Sequence, residues 1–287
     1  MDIKLAEITL TYWTKMLFNL KSLNAELVYI FALAIITILT STALFFFILT
    51  RGALIARSVL GNSNHDTSHV YPIYSNIRLI RLIDFQPIIS AILLFQYDRL
   101  VSVIVNGLQN TDLQGKRLLV TSCAFGNMLP CVVTAAIEAG VQRILIADIV
   151  KNELIHAKQK LKANAEKIEF IEENAVAMKQ KDSSVAANVI FFLLHELPHH
   201  LKGHALQEAG RVLMPGGKLY LAEFHRPNIL ILRILSWTYF KVFEPLSLAL
   251  WDTHDPVKQL EALGGFTCER HTIFFSNFQI IIATKNP

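Results

Sequence analysis

The sequence predicts an α/β fold built on a mostly parallel sheet, preceded by an apolar membrane-spanning helix. Three observations point there. From residue 116 onward, short apolar runs alternate with segments of helical period, the pattern of strands joined by crossover helices. Val189-Ile190-Phe191-Phe192-Leu193-Leu194 is an unbroken apolar run of high β-propensity, which suits a strand buried on both faces. Leu27 to Leu49 are 23 consecutive residues without a charge, enough to cross a bilayer's hydrocarbon core.

Residues 1–25 mix aromatic and apolar residues with Lys4, Lys15 and Lys21 and suit an amphipathic interfacial segment. The apolar stretch that follows is too long and starts too late for a signal peptide, and no A-x-A-like exit follows it. Gly61 to Asp66 is a polar linker, and residues 70–108 suit two helices broken near Pro87. Strands are expected at 117–121, 143–148, 168–171, 189–194, 218–224, 267–275 and 278–284. Helices are expected at 128–139, 151–165, 198–213, 229–250 and 256–263, with a Pro-Gly-Gly turn at 215–217. The domain boundaries that follow are an anchor at 1–60, a helical cap and linker at 61–110, and an α/β domain at 111–287.

The chain of 287 residues is 53% hydrophobic and 17% charged, and its net charge of +4 is spread without a basic patch, which excludes nucleic acid as a partner. Three cysteines at no framework spacing, Cys123, Cys131 and Cys268, suit a reducing compartment. Lysines and arginines flank the apolar stretch almost equally, so charge hardly orients it. The oligomeric state is left open.

His195-Glu196-Leu197-Pro198-His199 matches H-E-x-x-H, the zinc-protease pattern. That chemistry needs one continuous helix to present both histidines on one face. Pro198 breaks a helix that already contains residue 194 and pushes Leu197 towards extended geometry. His195 and Glu196 therefore belong at the carboxyl end of the buried strand, and Pro198 begins a new helix. His199, His200 and His204 fall on that helix as a solvated face.

In parallel α/β sheets ligands bind beyond the strands' carboxyl ends. The candidates there are Ser122, Cys123, Ala124, Phe125, Gly126 and Asn127, then Asp148, Asn174, His195, Glu196, Glu223, His225 and Arg226. An acid ending the second strand, here Asp148, suits a ribose diol. Gly126 either shapes the turn or lets the backbone approach a cofactor. Nothing beside Cys123 lowers its thiol pKa. His195, Glu196 and His225 are either a satisfied polar group or contacts to substrate or metal, and Glu223 and Arg226 could pair with each other. The apolar stretch from Ile229 suits core or a membrane-facing lid.

Arg211-Val-Leu-Met-Pro-Gly-Gly-Lys-Leu219, with LHELP before it and Leu260 to Phe266 after it, resembles class I S-adenosylmethionine-dependent methyltransferases over roughly residues 100–287. The ubiquinone/menaquinone C-methyltransferase branch is the nearest broad group. The resemblance implies the Rossmann-like class I methyltransferase fold with its seven-stranded sheet. It also implies S-adenosylmethionine held by Ser122–Gly126, Asp148 and Asn174. Where that family has an acid and G-x-G-x-G, this chain has Val120, Ser122, Ala124 and Gly126. FFLLHELP, Glu223-Phe-His-Arg-Pro227 and Phe243 to Trp251 look like the RquA family of rhodoquinone-biosynthesis enzymes, although Phe125-Gly126-Asn127 stands where that family has Tyr-Gly-Asp. This narrower resemblance implies a membrane-bound enzyme that replaces a methoxy group of ubiquinone by an amino group. S-adenosylmethionine would be the amino donor, and the divalent metal would be manganese, for which the sequence assigns no ligands. An Arg such as Arg226 beside a quinone oxygen would polarise it. S-adenosylmethionine is cytosolic, so the α/β domain is expected on the cytoplasmic side of a bacterial inner membrane or its mitochondrial equivalent. A quinone or lipid methyltransferase and a non-catalytic scaffold of the same fold are the alternatives.

Overall fold

A computed structural model describes residues 26–41, 44, 74 and 77–287 of the chain. The expected interfacial segment at 1–25, the linker at 61–66 and most of residues 42–49 lie outside the described residues. Within them, α1 (Glu26–Ser41) is apolar, helical and exposed. Thr37 and Thr40 turn their hydroxyls onto the carbonyls of Leu33 and Ile36, at 2.8 and 2.7 Å. Among the described residues no single helix is long and apolar enough to cross a membrane.

Three short helices come next, α2 (Ile77–Ile83), α3 (Gln86–Ile92) and α4 (Tyr97–Gln109). Pro87 sits in the first turn of α3, where its missing amide hydrogen costs nothing. The expected pair is therefore three helices. The second break comes at Leu94 and Phe95, both in left-handed backbone, and no Gly or Pro announces it.

The α/β body follows as β1 (Arg117–Thr121), α5 (Met128–Glu138), β2 (Arg143–Asp148), α6 (Lys151–Lys160), β3 (Ile168–Glu172), β4 (Val185–Phe191), α7 (His199–Val212), β5 (Leu213–Phe224), α8 (Leu230–Phe243), α9 (Pro256–Leu263), β6 (Phe266–Ile273) and β7 (Phe278–Lys285). The sheet has seven strands in the order β3-β2-β1-β4-β5-β7-β6. β1 to β5 are parallel, and β7 runs antiparallel to both neighbours. Strand order reverses between β1 and β4, which opens a crevice at their carboxyl ends.

Side chains alternate across the sheet with period two. Leu118, Val120, Ile144, Ile146, Val189 and Tyr220 face the core under α4, α5 and α6. Leu119, Leu145, Ile190, Leu219 and Leu221 face the core under α7 and α9. β4 begins four residues earlier than its apolar run and ends three earlier. Asn188 is tolerated inside it because Thr121 Oγ1 donates to its Oδ1 at 2.9 Å. Phe192 then leaves the strand in left-handed backbone, with φ 54°. His195 and Glu196 consequently sit on a turn beyond the strand rather than on its last residues. Pro198 caps α7 with extended backbone, which rules out the continuous helix of a zinc protease.

The Pro-Gly-Gly turn is absorbed into β5 as an irregularity. Val185 pairs with Leu213, but Ala187 pairs with Lys218. Gly217 allows it, since a Cβ there would meet Met214 O at 2.8 Å and Ala186 O at 3.0 Å. The expected helix 229–250 ends at Phe243, because Pro245 starts a separate 3-10 turn, Pro245–Trp251. The expected helix 151–165 likewise ends at Lys160 and continues as a 3-10 segment, Lys162–Lys167.

Candidate functional site

The loop after β1 is built without the usual glycines. Ser122 takes left-handed backbone at φ 78°, a geometry that costs a non-glycine residue on the order of 1–2 kcal/mol. Asp148, buried at the end of β2, holds the loop. Its Oδ2 accepts from Cys123 N at 2.6 Å and its Oδ1 from Val150 N at 2.8 Å. Burial raises the Asp148 carboxyl's pKa, and these hydrogen bonds oppose the shift.

A cleft opens here, lined among others by Ser122, Cys123, Asp148, Glu153, Glu173, Asn174 and Glu196. Among the described residues, four carboxyl groups and no lysine, arginine or histidine line it. Asn174 spends its Oδ1 on Val176 N at 3.1 Å. Glu153, from the first turn of α6, is buried. Burial, aided by the charges of Asp148, Glu196 and Asp84, pushes it up to about 9.

A second, apolar cavity of about 170 Å³ adjoins the first and shares Tyr74, Ser122, Cys123 and Glu196 with it. Ile83, Ile89, Ile92, Leu93, Phe125, Phe192, Phe224 and Tyr239 supply its walls, with Ala124, His195 and Glu244. His195 is set by Glu223, which is fully buried. The imidazole Nδ1 lies 3.2 Å from Glu223 Oε1, and His195 N donates to Oε2 at 3.2 Å. The other ring nitrogen, Nε2, lies 4.0 Å from Glu196 Oε1, which accepts from the Tyr74 hydroxyl at 2.6 Å.

Charge on this group is finely opposed. Burial disfavours the His195 imidazolium, but Glu223, Glu196 and Glu244 outweigh it and bring the group to about 9. Glu196 rises to about 7 through burial, against the pull of His195 and Tyr74. Lys202, fully buried on α7, donates to the carbonyls of Leu194 and Leu197 and so fixes the turn that carries both residues. Burial lowers it to about 8.

These shifts set a stability profile. The folded values of His195, near 9, and Glu153, near 9, lie above their unfolded values of about 6.5 and 4.3. The folded protein thus holds more protons at these sites than the unfolded chain, and stability falls as pH rises. Lys202 acts oppositely only above its folded value of about 8. His199, His225 and His254, whose values are lowered by burial, act oppositely only below about 6.5. The melting temperature is therefore expected to fall between pH 6.5 and 8 in scanning calorimetry. A rise over that interval would contradict the assignment.

The structure brings Ser122, Cys123, Ala124, Phe125, Asp148, Asn174, His195 and Glu196 to the two cavities, with Glu223 behind His195. It does not bring Gly126, His225 or Arg226. Gly126, at φ 79°, makes room for Tyr97, whose ring and hydroxyl would lie 2.5 Å from a Cβ there. Its N–H donates to Asp84 Oδ1 at 2.6 Å. His225 Nδ1 pairs with Ser276 O at 2.9 Å, and its Nε2 lies 3.3 Å from Arg270. Arg226 reaches outward to Asp252 at 3.1 Å. Both follow the last residue of β5, where the chain turns towards the β6–β7 hairpin.

Sequence reasoning missed Tyr74, Glu153, Lys202 and Glu244 at the site, and Asp84, Gln86 and Tyr97 on the loop. The last three accept from Gly126 N, Asn127 N and Met128 N at 2.6, 3.0 and 2.8 Å. The amides leading into α5, with Met128 N its first, are thereby met by Asp84, just after α2, and by Gln86 of α3 and Tyr97 of α4. The one available signal was that charged and amide residues, Asp84, Gln86, Glu153 and Lys202, stand beside otherwise apolar faces. Among the described residues no group of three His, Cys, Asp or Glu side chains is arranged to hold a metal ion.

The model of the ubiE/COQ5 methyltransferase family matches residues 84–252. The chain is 33% identical over 100 residues to a demethylmenaquinone methyltransferase of Bacillus cytotoxicus, covering 34% of this chain and 41% of that one. With the Lactococcus lactis enzyme of the same name the identity is 32% over 135 residues, or 47% and 52% of the two chains. The chain thus spans about half, or less, of the curated relatives it matches. A putative S-adenosyl-L-methionine-dependent methyltransferase from Methanococcus maripaludis has the same fold, with a TM-score of 0.51 at 15% identity over 74% of this chain and 94% of that one.

Proposed function

Because this chain belongs to the ubiE/COQ5 methyltransferase family, whose members use S-adenosylmethionine, we propose that it modifies the head group of a lipid quinone. The observation that carries this reading is the junction at Glu196. One side of it is a carboxyl-lined cleft, the other an aromatic cavity, and His195 stands on the apolar side.

The cleft fits S-adenosylmethionine, a cation. Asp148, Glu153, Glu173 and Glu196 line it, and one buried oxygen of Glu153 has no partner among the described residues. Ser122, Cys123, Asp148 and Asn174 would hold the adenosyl portion. When bound, the cofactor supplies an electrophilic sulfonium methyl, or its own amino group. The protein's part is in proton handling. His195, charged at neutral pH and oriented by Glu223, donates to a quinone oxygen and stabilises negative charge there. Glu196, poised near 7, accepts the proton lost from the ring carbon in methyl transfer, or from the incoming amino group in amination. The aromatic walls exclude water. No three-donor cluster suits manganese among the described residues, and no step is assigned to it.

The finer reading is amination, ubiquinone to rhodoquinone. It is supported by the loop, where Val120, Ser122 and Ala124 replace the acid and glycines of ordinary methyl transfer. Methyl transfer to the ring is the second reading, supported by the relatives named demethylmenaquinone methyltransferases. Quinone profiling by mass spectrometry in cells expressing the full chain separates them. An amino-for-methoxy product supports the first and an added methyl the second. No new quinone in either form would leave a non-catalytic scaffold and refute the enzyme reading.

A quinone with a polyprenyl tail stays in the bilayer, so the apolar cavity should face lipid. Leu230, Ile231, Ile234, Leu235 and Trp237 expose one face of α8, and Phe85 and Phe95 are exposed on the cap. In this reading these residues dip into the interface, residues 1–60 anchor the chain, and the α/β domain lies on the cytoplasmic side.

Asp148→Ala is expected to weaken S-adenosylmethionine binding by about 2–4 kcal/mol, through loss of the loop's anchor and of charge-assisted hydrogen bonds. Calorimetric titration giving unchanged affinity would remove Asp148 from the cofactor site.

A further inference from the structure

Glu153 is 3% exposed, and its Oε1 has no hydrogen-bond partner among the described residues. Leaving a buried carboxyl oxygen unpaired is costly. It occupies the third position of α6, where an acid ordinarily reaches back to cap the helix start. That task is already filled, because Val150 N donates to Asp148 Oδ1 at 2.8 Å. Lys160 is the basic group whose charge acts against the shift, and burial and the neighbouring acids outweigh it. Lys160, on the same helix, donates to Asp84 Oδ1 at 2.8 Å and to Gly126 O at 2.5 Å. His156 is held by Asp84 at 2.7 Å.

The groups that face it are otherwise acidic or neutral. Asp148 comes from the end of β2, Glu196 from the turn after β4, and Asp84 from the end of α2. Glu173, beyond β3, lines the same cleft, as do the Cys123 thiol and the Tyr74 hydroxyl. A buried carboxyl oxygen with no partner among the described residues, in a cleft that none of their basic side chains lines, has a place for a positive ligand.

We propose that Glu153 reads the positive charge of the bound cofactor, ionising and releasing its proton to solvent as a sulfonium cation enters the cleft. The inference rests on the S-adenosylmethionine reading of that cleft. Its burial supports it, since Glu153 held near 9 is protonated in the ligand-free protein at neutral pH. A neutral thioether analogue would draw no proton from it. The cleft therefore discriminates the charged ligand from its uncharged counterpart through one carboxyl.

The test is calorimetric titration of the full chain with S-adenosylmethionine and with S-adenosylhomocysteine between pH 7.5 and 8.5, in two buffers of different ionisation enthalpy. This range lies above the titration of Glu196, near 7. S-adenosylmethionine is expected to bind up to about tenfold more tightly per pH unit and to release one proton. S-adenosylhomocysteine should show a nearly flat profile. Glu153→Gln should lose both the slope and the proton release, and should bind the two ligands with more similar affinity. Glu153→Met, which fills the same space without a titrating group, should do the same. Glu196→Gln, His195→Asn and Lys202→Met, which alter the other groups brought near this range, should keep the slope. A Glu153→Gln protein that binds S-adenosylmethionine with the wild-type pH slope and proton release overturns the inference and leaves the cofactor reading standing. Wild-type protein that binds neither ligand overturns both.

Discussion

His195→Ala and Glu196→Gln are each expected to lower quinone turnover by about 10²–10⁴-fold, the usual range for a lost acid–base group, whereas His199→Ala keeps most of it. The three residues lie within five positions, so the contrast tests the geometry of the turn rather than its composition. His195 contacts Glu223 from inside the apolar cavity, and Glu196 spans both cavities. His199 is exposed on α7, where its ring stacks on His254 with centroids 5.5 Å apart and planes 4° from parallel. Each variant should fold, because none removes a large apolar group from the core. Circular dichroism checks that, and mass spectrometry of extracted quinones reads the turnover. Complete loss in His199→Ala, with stoichiometric zinc in the purified protein, would restore the protease pattern that Pro198 rules out.

Lys202→Met is expected to destabilise the protein by about 1–3 kcal/mol, most of it from the Leu197 carbonyl left without a donor, since Leu194 O keeps the Leu197 N–H at 3.2 Å. Two effects compete. Removing a buried ammonium relieves its desolvation, and methionine fills nearly the same volume, so packing loss is small. Yet the Leu197 carbonyl meets Nζ and nothing apolar can satisfy it, while Leu194 O falls back on the Leu197 N–H alone. The unmade hydrogen bonds win. Denaturant titration gives the stability, and its slope shows whether the folded state has loosened. Stability equal to wild type would mean that the turn is held by its apolar residues, Leu194 and Leu197, alone. Because that turn also carries His195 and Glu196, the variant that survives should lose activity as well.

The sheet was legible because a strand buried on both faces leaves little room for polar residues, and its alternation with helices sets the topology. Residues at strand ends were legible for the same reason, which is why Asp148, Asn174 and Ser122 line the cleft. Two kinds of feature were hidden. Backbone turns such as Leu94-Phe95 and Phe192 adopt left-handed geometry without glycine, so no residue type marks them. Partners drawn from far along the chain, such as Tyr74 for Glu196 at 122 residues and Asp84 for Gly126 at 42, leave no local pattern at all. His225 and Arg226 show the limit of strand-end logic. The strand ends at Phe224, and the hydrogen bond from His225 N to Asn277 O turns the next residues to the hairpin side.

The anchoring of α4 has a consequence for how the chain emerges from a ribosome. Tyr220, on β5, donates its hydroxyl to Gly107 O at 2.7 Å, across 113 residues of sequence. Synthesis at about 5–20 residues per second separates the two by roughly 6–23 s. Through that interval α4, which α5 joins early, still lacks the part of its cover that β5 and β7 supply over the face carrying Tyr97, Leu100, Ile104 and Leu108. The nascent chain thus presents an amphipathic helix before its destination is complete, and a holding chaperone or a nearby lipid surface is the natural place for it to wait.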